Sequence, residues 1–212
     1  MSAESNDDVT TPGRRRPSRS RGDQQEIALL DSAQRLLTAM TPLAEITIER
    51  IASGAGLSRP SVYFYFDSKE AILRAVLQRL TRTLSAEIRD QPGRTFADTL
   101  DTFLEVVSHT WRTQPALVCA AFELAVRDAA FRQSWQDYFL NCGEVLVIAA
   151  ERDQAAGLLP NFGATRPALI ALCFMYERNC YLLFSREHQP EEEDELFALL
   201  RGLFRRAVGA AG

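Results

Sequence analysis

Residues 58 to 65 hold Ser58, Arg59, Pro60, Ser61, Tyr63, Phe64 and Tyr65, a set suited to the groove and phosphates of a nucleic acid. A guanidinium at Arg59 can give two parallel hydrogen bonds to a guanine edge. Hydroxyls at Ser58, Ser61, Tyr63 and Tyr65 can donate to phosphate oxygens, and Phe64 can pack on a thymine methyl. Ser58 and Arg59 stand where a helix would begin, and free N–H groups at a helix start also favour a phosphate. Thr47 and Lys69 flank this stretch and are placed to hold the backbone on either side. Val62 and Phe66 lie four apart on one face and read as core anchors. Tyr65 is open between DNA contact and core packing.

These side chains need a support. Ile48, Ile51, Ala52 and Ala55 follow helical spacing, and Gly54 and Gly56 then interrupt the run. Ser58 is a good N-cap, and Pro60 falls in the first turn, where a missing N–H costs nothing. The pattern predicts a second short helix through Phe66. Two short helices across a tight glycine turn form a helix-turn-helix. Asp67 or Ser68 caps the next helix, and Asp67 with Glu70 has the form of a capping box. In front, a helix is predicted from Asp23, with Glu26 completing a box, carrying Ile27, Leu30, Ala33, Leu36 and Leu37 on one stripe to about Met40. Leu43 and Ile46 should tuck beneath the reading unit.

The chain has 212 residues, enough to bury a sizeable core, and ordinary apolar and charged content. No uncharged apolar run is long enough for a membrane span, and the basic, polar N-terminus has no apolar signal segment, which points to the cytoplasm. The net charge of −4 hides an asymmetry. Residues 13–82 carry twelve Lys+Arg against seven Asp+Glu, while 83–212 carry twelve against eighteen. A basic first third on an acidic body suggests that only the first third meets a polyanion. Residues 1–22, with Arg14, Arg15, Arg16, Arg19 and Arg21 among Pro, Ser and Gly, read as a disordered arm that either touches DNA or is a solvated tail.

Catalytic signatures are missing: no Gly-x-Ser-x-Gly, no phosphate-binding glycine loop and no His-Glu-x-x-His. Cys119, Cys142, Cys173 and Cys180 form no Cys-x-x-Cys pair and read as small buried hydrophobes, and neither histidine has metal-ligand spacing. No enzyme, metal or cofactor is expected.

Beyond the reading unit the pattern is helical throughout, with breaks at Gln91-Pro92-Gly93, Gln114-Pro115, Gly157 to Gly163 and His188-Gln189-Pro190. About nine helices result, and the fold class is all-α. Three units are expected: the arm at 1–22, a DNA-binding unit at 23–68, and a helical body at 69–209 whose first helix, 69–90, is a connector. Residues 167–187 are apolar on several faces, so that helix is buried on several faces. The last helix, about 191–208, repeats this with Leu196, Leu199, Leu200 and Leu203 against Phe197 and Phe204. Aromatic residues concentrate in the body, and Asn141 and Asn179 stand within apolar helices, where a buried amide needs a partner. Together they suggest a mostly apolar cavity with few polar anchors.

Gly56-Leu57-Ser58 through Tyr63-Phe64-Tyr65-Phe66, followed by Ser68-Lys69-Glu70-Ala71, resembles the signature of TetR-family transcriptional regulators. Ser58-Arg59-Pro60, Phe64-Tyr65-Phe66, Ala150-Glu151-Arg152-Asp153 and Met175 with Glu177-Arg178 make the chain most similar to the EthR-type repressors of that family. The resemblance implies a homodimer through the last two helices, a palindromic operator, and release when a small hydrophobic effector enters the body. It implies a pocket lined by Trp111, Phe122, Trp135, Tyr176 and Asn179, with Phe103, Val107, Phe139 and Cys173 beside them. Where EthR-type proteins carry an amide, this chain has Cys173 and Tyr176. The rival from another class is a helical small-molecule carrier or enzyme without operator binding, which would leave Ser58 to Glu70 without a purpose. A ligand-independent DNA binder is a second rival.

Overall fold

The computed structural model describes residues 20–39, 41–89, 91, 93–163 and 165–209. Among them are nine α-helices and no strand. The first three are α1 (Arg21–Thr38), α2 (Ile48–Gly54) and α3 (Arg59–Val62). A long connector follows, α4 (Lys69–Glu87), then α5 (Phe96–Thr113), α6 (Pro115–Arg127), α7 (Ala129–Ala155), α8 (Thr165–Phe184) and α9 (Pro190–Ala207). Most of the expected arm lies outside the described residues.

Helix α1 begins two residues before Asp23, because Ser20 supplies a cap one turn earlier. The Ser20 hydroxyl accepts from the Asp23 amide and the Asp23 carboxylate accepts from the Ser20 amide, so Asp23 closes the box as its third residue instead of opening it. Arg21 and Gly22 therefore belong to α1 and not to the arm. Leu29, Ala33 and Leu37 form its buried stripe. Helix α2 packs on α1 at close range, since a Cβ at Gly54 would collide with the Ser32 hydroxyl. Arg35 donates to the Gly54 carbonyl, placing a cation at the C-terminal end of α2.

The turn after α2 is a Schellman motif. The Leu57 amide bonds the Ala52 carbonyl, the Gly56 amide bonds that of Ser53, and Gly56 takes φ +68°. Ser58 then caps α3. The expectation that α3 runs through Phe66 fails by one turn. Past Val62 the chain tightens into i→i−3 bonds, Phe64 to Ser61 and Tyr65 to Val62. The capping box expected at Asp67 and Glu70 is not formed, because Ser68 caps α4 by accepting from the Ala71 amide.

Helix α4 is the hub. It packs on α1 in front and on α5, α6 and α7 behind, burying Ile72, Leu73, Val76, Leu77, Leu80 and Leu84. Arg79 bonds Asp31 and Gln34 on α1. Arg74 reaches Asp128 at 2.9 Å, and Asp128 caps α7 by accepting from the Phe131 amide. In the body, α7 and α8 share the most extensive contact, and α9 packs on α8. Asp153 of α7 accepts from the Phe96 amide at 2.6 Å, which fixes the start of α5 on α7.

Candidate nucleic-acid interface and ligand pocket

The reading stretch is held from below and open above. Val62 has no exposed surface, and burying an aliphatic side chain of this size is worth about 1.5–3 kcal/mol. Phe66 packs half-buried against the same core. Leu43 and Ile46 lie beneath the unit as their spacing predicts, both buried. On the outer side Phe64 is 88% exposed and Tyr63 47%. Leaving a whole phenyl ring in water has no packing rationale, and an exposed ring beside hydroxyls and a guanidinium is what a DNA contact needs.

The polar groups are arranged around that ring. The Ser58 and Ser61 hydroxyls bond each other at 2.7 Å at the start of α3. Pro60 occupies the first turn. Arg59 is exposed and paired with Glu49 of α2 at 2.7 Å. A hydrogen bond with Tyr63, aided by the Glu49 charge, holds Arg59 firmly in its charged form. Thr47 caps α2 by accepting from the Arg50 amide, and its hydroxyl donates to the neighbouring Glu49 carboxylate. Lys69 donates to the Leu43 carbonyl at 2.9 Å, which ties the start of α4 to the loop before α2. Two donor positions of the ammonium are left for a phosphate. The Tyr65 hydroxyl donates to Gln25 of α1 at 2.6 Å, so this ring braces α3 against α1.

The charge distribution is sharper than the sequence totals suggest. Of the twelve bases in residues 13–82, Arg14, Arg15, Arg16 and Arg19 lie outside the described residues, and the other eight meet seven acids. Arg50, Arg59, Arg74 and Arg79 each pair with a carboxylate. The net positive charge of residues 13–82 therefore rests largely on residues 13–19. Spacing could not reveal the Glu49–Arg59 pair, because it joins two helices across the turn.

The aromatic rings of the body gather around two centres, bridged by Phe184 between Trp111 and Phe197, where one cavity was expected. Val107, Trp111, Trp135 and Phe139 converge with Thr110, Val118 and Tyr138 around an apolar cavity of about 20 Å3, closed on one side by Leu80 and Leu84 of α4. That space holds about one water molecule. Phe122 flanks this group, 6.2 Å from Trp111 and 5.9 Å from Trp135 between ring centroids. Phe103 and Tyr176 belong to the second group, with Phe204 and Phe197, between α5, α8 and α9. These two are core contacts in this conformation, because α9 covers the face of α8 that carries Tyr176. Cys173 is buried against Gly143 of α7. Asn179 lies in a surface groove with Leu182, Leu183, Glu195, Leu196 and Leu199, and its amide donates to the Met175 carbonyl. Asn141 is exposed and needs no buried partner.

Two polar features escaped the sequence. Glu177 is 9% exposed and accepts from the Trp135 indole at 3.2 Å. Burial pushes its carboxyl up to about 7, against the opposing pull of the Trp135 bond and Arg178. The Arg74–Asp128 pair links the connector to the head of the helix that carries Trp135, Tyr138 and Phe139. Their partners lie 42 and 54 positions away, so no local pattern marks them. Burial raises the thiols of Cys119 and Cys142 to about 11 and those of Cys173 and Cys180 further; Cys142, Cys173 and Cys180 are buried as expected, whereas Cys119 is only half-buried. Among the described residues no group of His, Cys, Asp and Glu could hold a metal ion, and no helix is long and apolar enough to cross a membrane.

Comparison with known proteins agrees with this geometry. Residues 29–76, from α1 into α4, match the model of the bacterial regulatory proteins of the tetR family. The chain is 33% identical over 193 residues to the HTH-type transcriptional regulator EthR of Mycobacterium tuberculosis, covering 86% of this chain and 85% of that one. It is 30% identical over 206 residues to EthR of Mycolicibacterium smegmatis, covering 93% and 92%. Among solved structures, Salmonella enterica GusR superimposes with a TM-score of 0.71 at 17% identity, over 90% of this chain and 98% of that one. SmeT, the repressor of the Stenotrophomonas maltophilia multidrug efflux pump SmeDEF, gives 0.66 at 18% identity, over 86% and 89%. The overall fold is shared with both. The chain belongs to the TetR family of helix-turn-helix, DNA-binding transcriptional regulators, a family of non-enzymatic proteins.

Proposed function

We propose that this regulator is a homodimeric repressor that binds a palindromic operator and is released by a small, mainly apolar effector. Residues 23–68, extended to Ser20 by the α1 cap, form the DNA-binding unit, and 69–209 form the body. The observation that carries the reading is the 88% exposed Phe64 beside Arg59 and Tyr63, on a turn anchored from below by the fully buried Val62. Arg59 and Phe64 read base edges, while Thr47, Ser58, Ser61, Tyr63 and Lys69 hold phosphates. Tyr65 sets the reading helix on α1. Acting on DNA, the protein works in the cytoplasm, on the nucleoid when bound.

The dimer forms through α8 and α9, about residues 167–187 and 191–208. Leu182 is 57% exposed and Leu199 54%, and both line one groove with Leu183 and Leu196. A two-fold pairing of that face closes on itself and matches a palindrome.

Release follows from the smallness of the cavity. At about 20 Å3 it admits no organic molecule unless its walls move. Leu80 and Leu84 are part of that wall and belong to α4, the helix that carries Arg79 to α1. Effector entry and displacement of α4 are then one event, and the effector's preference for the open body sets how far DNA affinity falls, typically about 1–3 kcal/mol of coupling.

The test joins assembly to binding. Leu182→Glu with Leu199→Glu should give a folded monomer by light scattering. Its affinity for a duplex from the DNA flanking its own gene should fall at least about tenfold, because half of the palindrome contacts are no longer linked. A variant that remains dimeric removes the proposed interface.

A further inference from the structure

A buried carboxylate stands beside the cavity, and the regulator's core packing gives it little to do. Glu177 is 9% exposed, and the hydrogen bond it accepts comes from the Trp135 indole at 3.2 Å. Trp135 is itself a wall of the cavity. A buried carboxylate is costly unless it is paired with an opposite charge, and the bond Glu177 accepts here comes from a neutral indole. A purely structural partner for an indole could be an amide or a backbone carbonyl, without the burden of a charge.

The rings around it are arranged for a cation. Phe122 and Tyr181 stack at 4.3 Å between centroids, and Phe122 stands 5.9 Å from Trp135. The Arg178 guanidinium lies beside the pair, 5.9 Å from the Phe122 centroid and 5.6 Å from that of Tyr181. Ring faces of this kind attract positive charge. The groups that bear on Glu177 are Trp135 from α7, and Arg178 and the buried Cys180 from α8. None of them neutralises it in the interior as a bound ammonium would, since Arg178 is exposed.

We propose that the effector of this regulator is an apolar molecule bearing one basic amine, with the ammonium held by Glu177 and the apolar part replacing the packing of Trp135, Phe139 and Trp111. The proposal rests on the reading of the body as an effector site and narrows the effector from apolar molecules in general to cationic amphiphiles. Entry of the apolar part displaces Trp135, which frees Glu177 from the indole and presents it to the ammonium. Aromatic rings then cover the charge.

The test uses a matched pair of probes, 4-phenylbutylamine and 4-phenylbutanol, which share shape and differ in charge. The chain has two tryptophans, Trp111 and Trp135, and both line the cavity, so intrinsic fluorescence reports directly on the site. At pH 8 the amine should bind the full-length protein roughly ten- to a hundredfold more tightly than the alcohol, the range expected for a charge-assisted bond in a desolvated site. Glu177→Gln keeps an acceptor for the indole and removes the charge. It should lose the preference for the amine while keeping wild-type affinity for the alcohol, which also establishes that the variant is folded. Equal binding of the two probes by the wild type, no binding of either, or a preserved amine preference in Glu177→Gln each overturns the proposal. In parallel, anisotropy of labelled duplex from the DNA flanking the gene tests the parent reading. If DNA is bound and the alcohol releases it as well as the amine does, the effector site stands and the cationic class falls. If neither probe releases DNA and neither binds, both fall.

Discussion

Cutting the tie between Arg74 and Asp128 tests how the connector is fastened to the body. The pair spans 2.9 Å, with the Asp128 side chain 13% exposed and that of Arg74 35%. Exposed ion pairs contribute about 0–1 kcal/mol, and removing one partner of a buried pair costs about 3–5 kcal/mol. This pair lies between, nearer the exposed limit because Arg74 is a third open, and about 1 kcal/mol is expected. Asp128 has a second task, since its other oxygen accepts from the Phe131 amide at 3.0 Å and caps α7. Asp128→Asn keeps a good cap and removes the charge, so it should cost about 1 kcal/mol, whereas Asp128→Ala should cost about 2 kcal/mol because a lost N-cap adds roughly 1. Arg74→Met keeps the stem's packing and should match Asp128→Asn, and the double variant should be no worse than either single one. Urea denaturation with linear extrapolation measures each value, and thermal melts should fall by about 2–4 °C per kcal/mol. Additive losses in Arg74→Met with Asp128→Asn, or equal losses in the Asn and Ala variants, would refute this account of the junction.

Three further outcomes are expected. Phe64→Ala should leave the melting temperature within about a degree, because the ring is 88% exposed, yet weaken specific DNA binding roughly tenfold by anisotropy; a large loss of stability would mean that the ring packs. Glu49→Gln frees Arg59 from its 2.7 Å pair and should tighten DNA binding a few-fold at low salt, with the gain fading as salt rises; unchanged affinity would mean that Arg59 does not reach DNA. Glu177 sets a pH dependence. Its folded carboxyl is pushed up to about 7 from an ordinary value of 4.5, so between these values the native state holds a proton that the unfolded chain has released. Stability therefore falls as pH rises through that window, by something on the order of 2 kcal/mol, and stays reduced above it. Denaturation at pH 5 and pH 8 should show this slope in the wild type and not in Glu177→Gln.

Local chemistry made the reading unit legible. Gly56 must take positive φ, Ser58 must cap and Pro60 can only start a helix, so the sequence marks the turn and the first residue of α3 without help from the rest of the fold. The end of α3 was not legible, because Tyr63 to Phe66 suit a helix as well as the tight turn they adopt. What decides between them is tertiary, with Tyr65 reaching Gln25 forty positions earlier. The start of α1 slipped for a similar reason, since Ser20 and Asp23 are both good caps and spacing alone does not rank them. In the body, helical periodicity gave the helices but not which apolar face meets which. Tyr176 and Asn179 share α8 with Glu177, and only packing assigns the first to the α9 core, the second to the outer groove and the third to Trp135.

The central claim is ligand-responsive binding to a specific DNA site, and one titration bears on it most directly. Fluorescence anisotropy of a labelled duplex from the DNA flanking the gene, against a random duplex of equal length, would be followed from about 50 to 200 mM salt with and without a bound effector probe. The account predicts at least about a thousandfold preference for the specific duplex, an affinity that falls linearly on a log–log scale as salt rises, and a further fall when the probe is present. Equal affinity for both duplexes, or an affinity indifferent to salt, would contradict it.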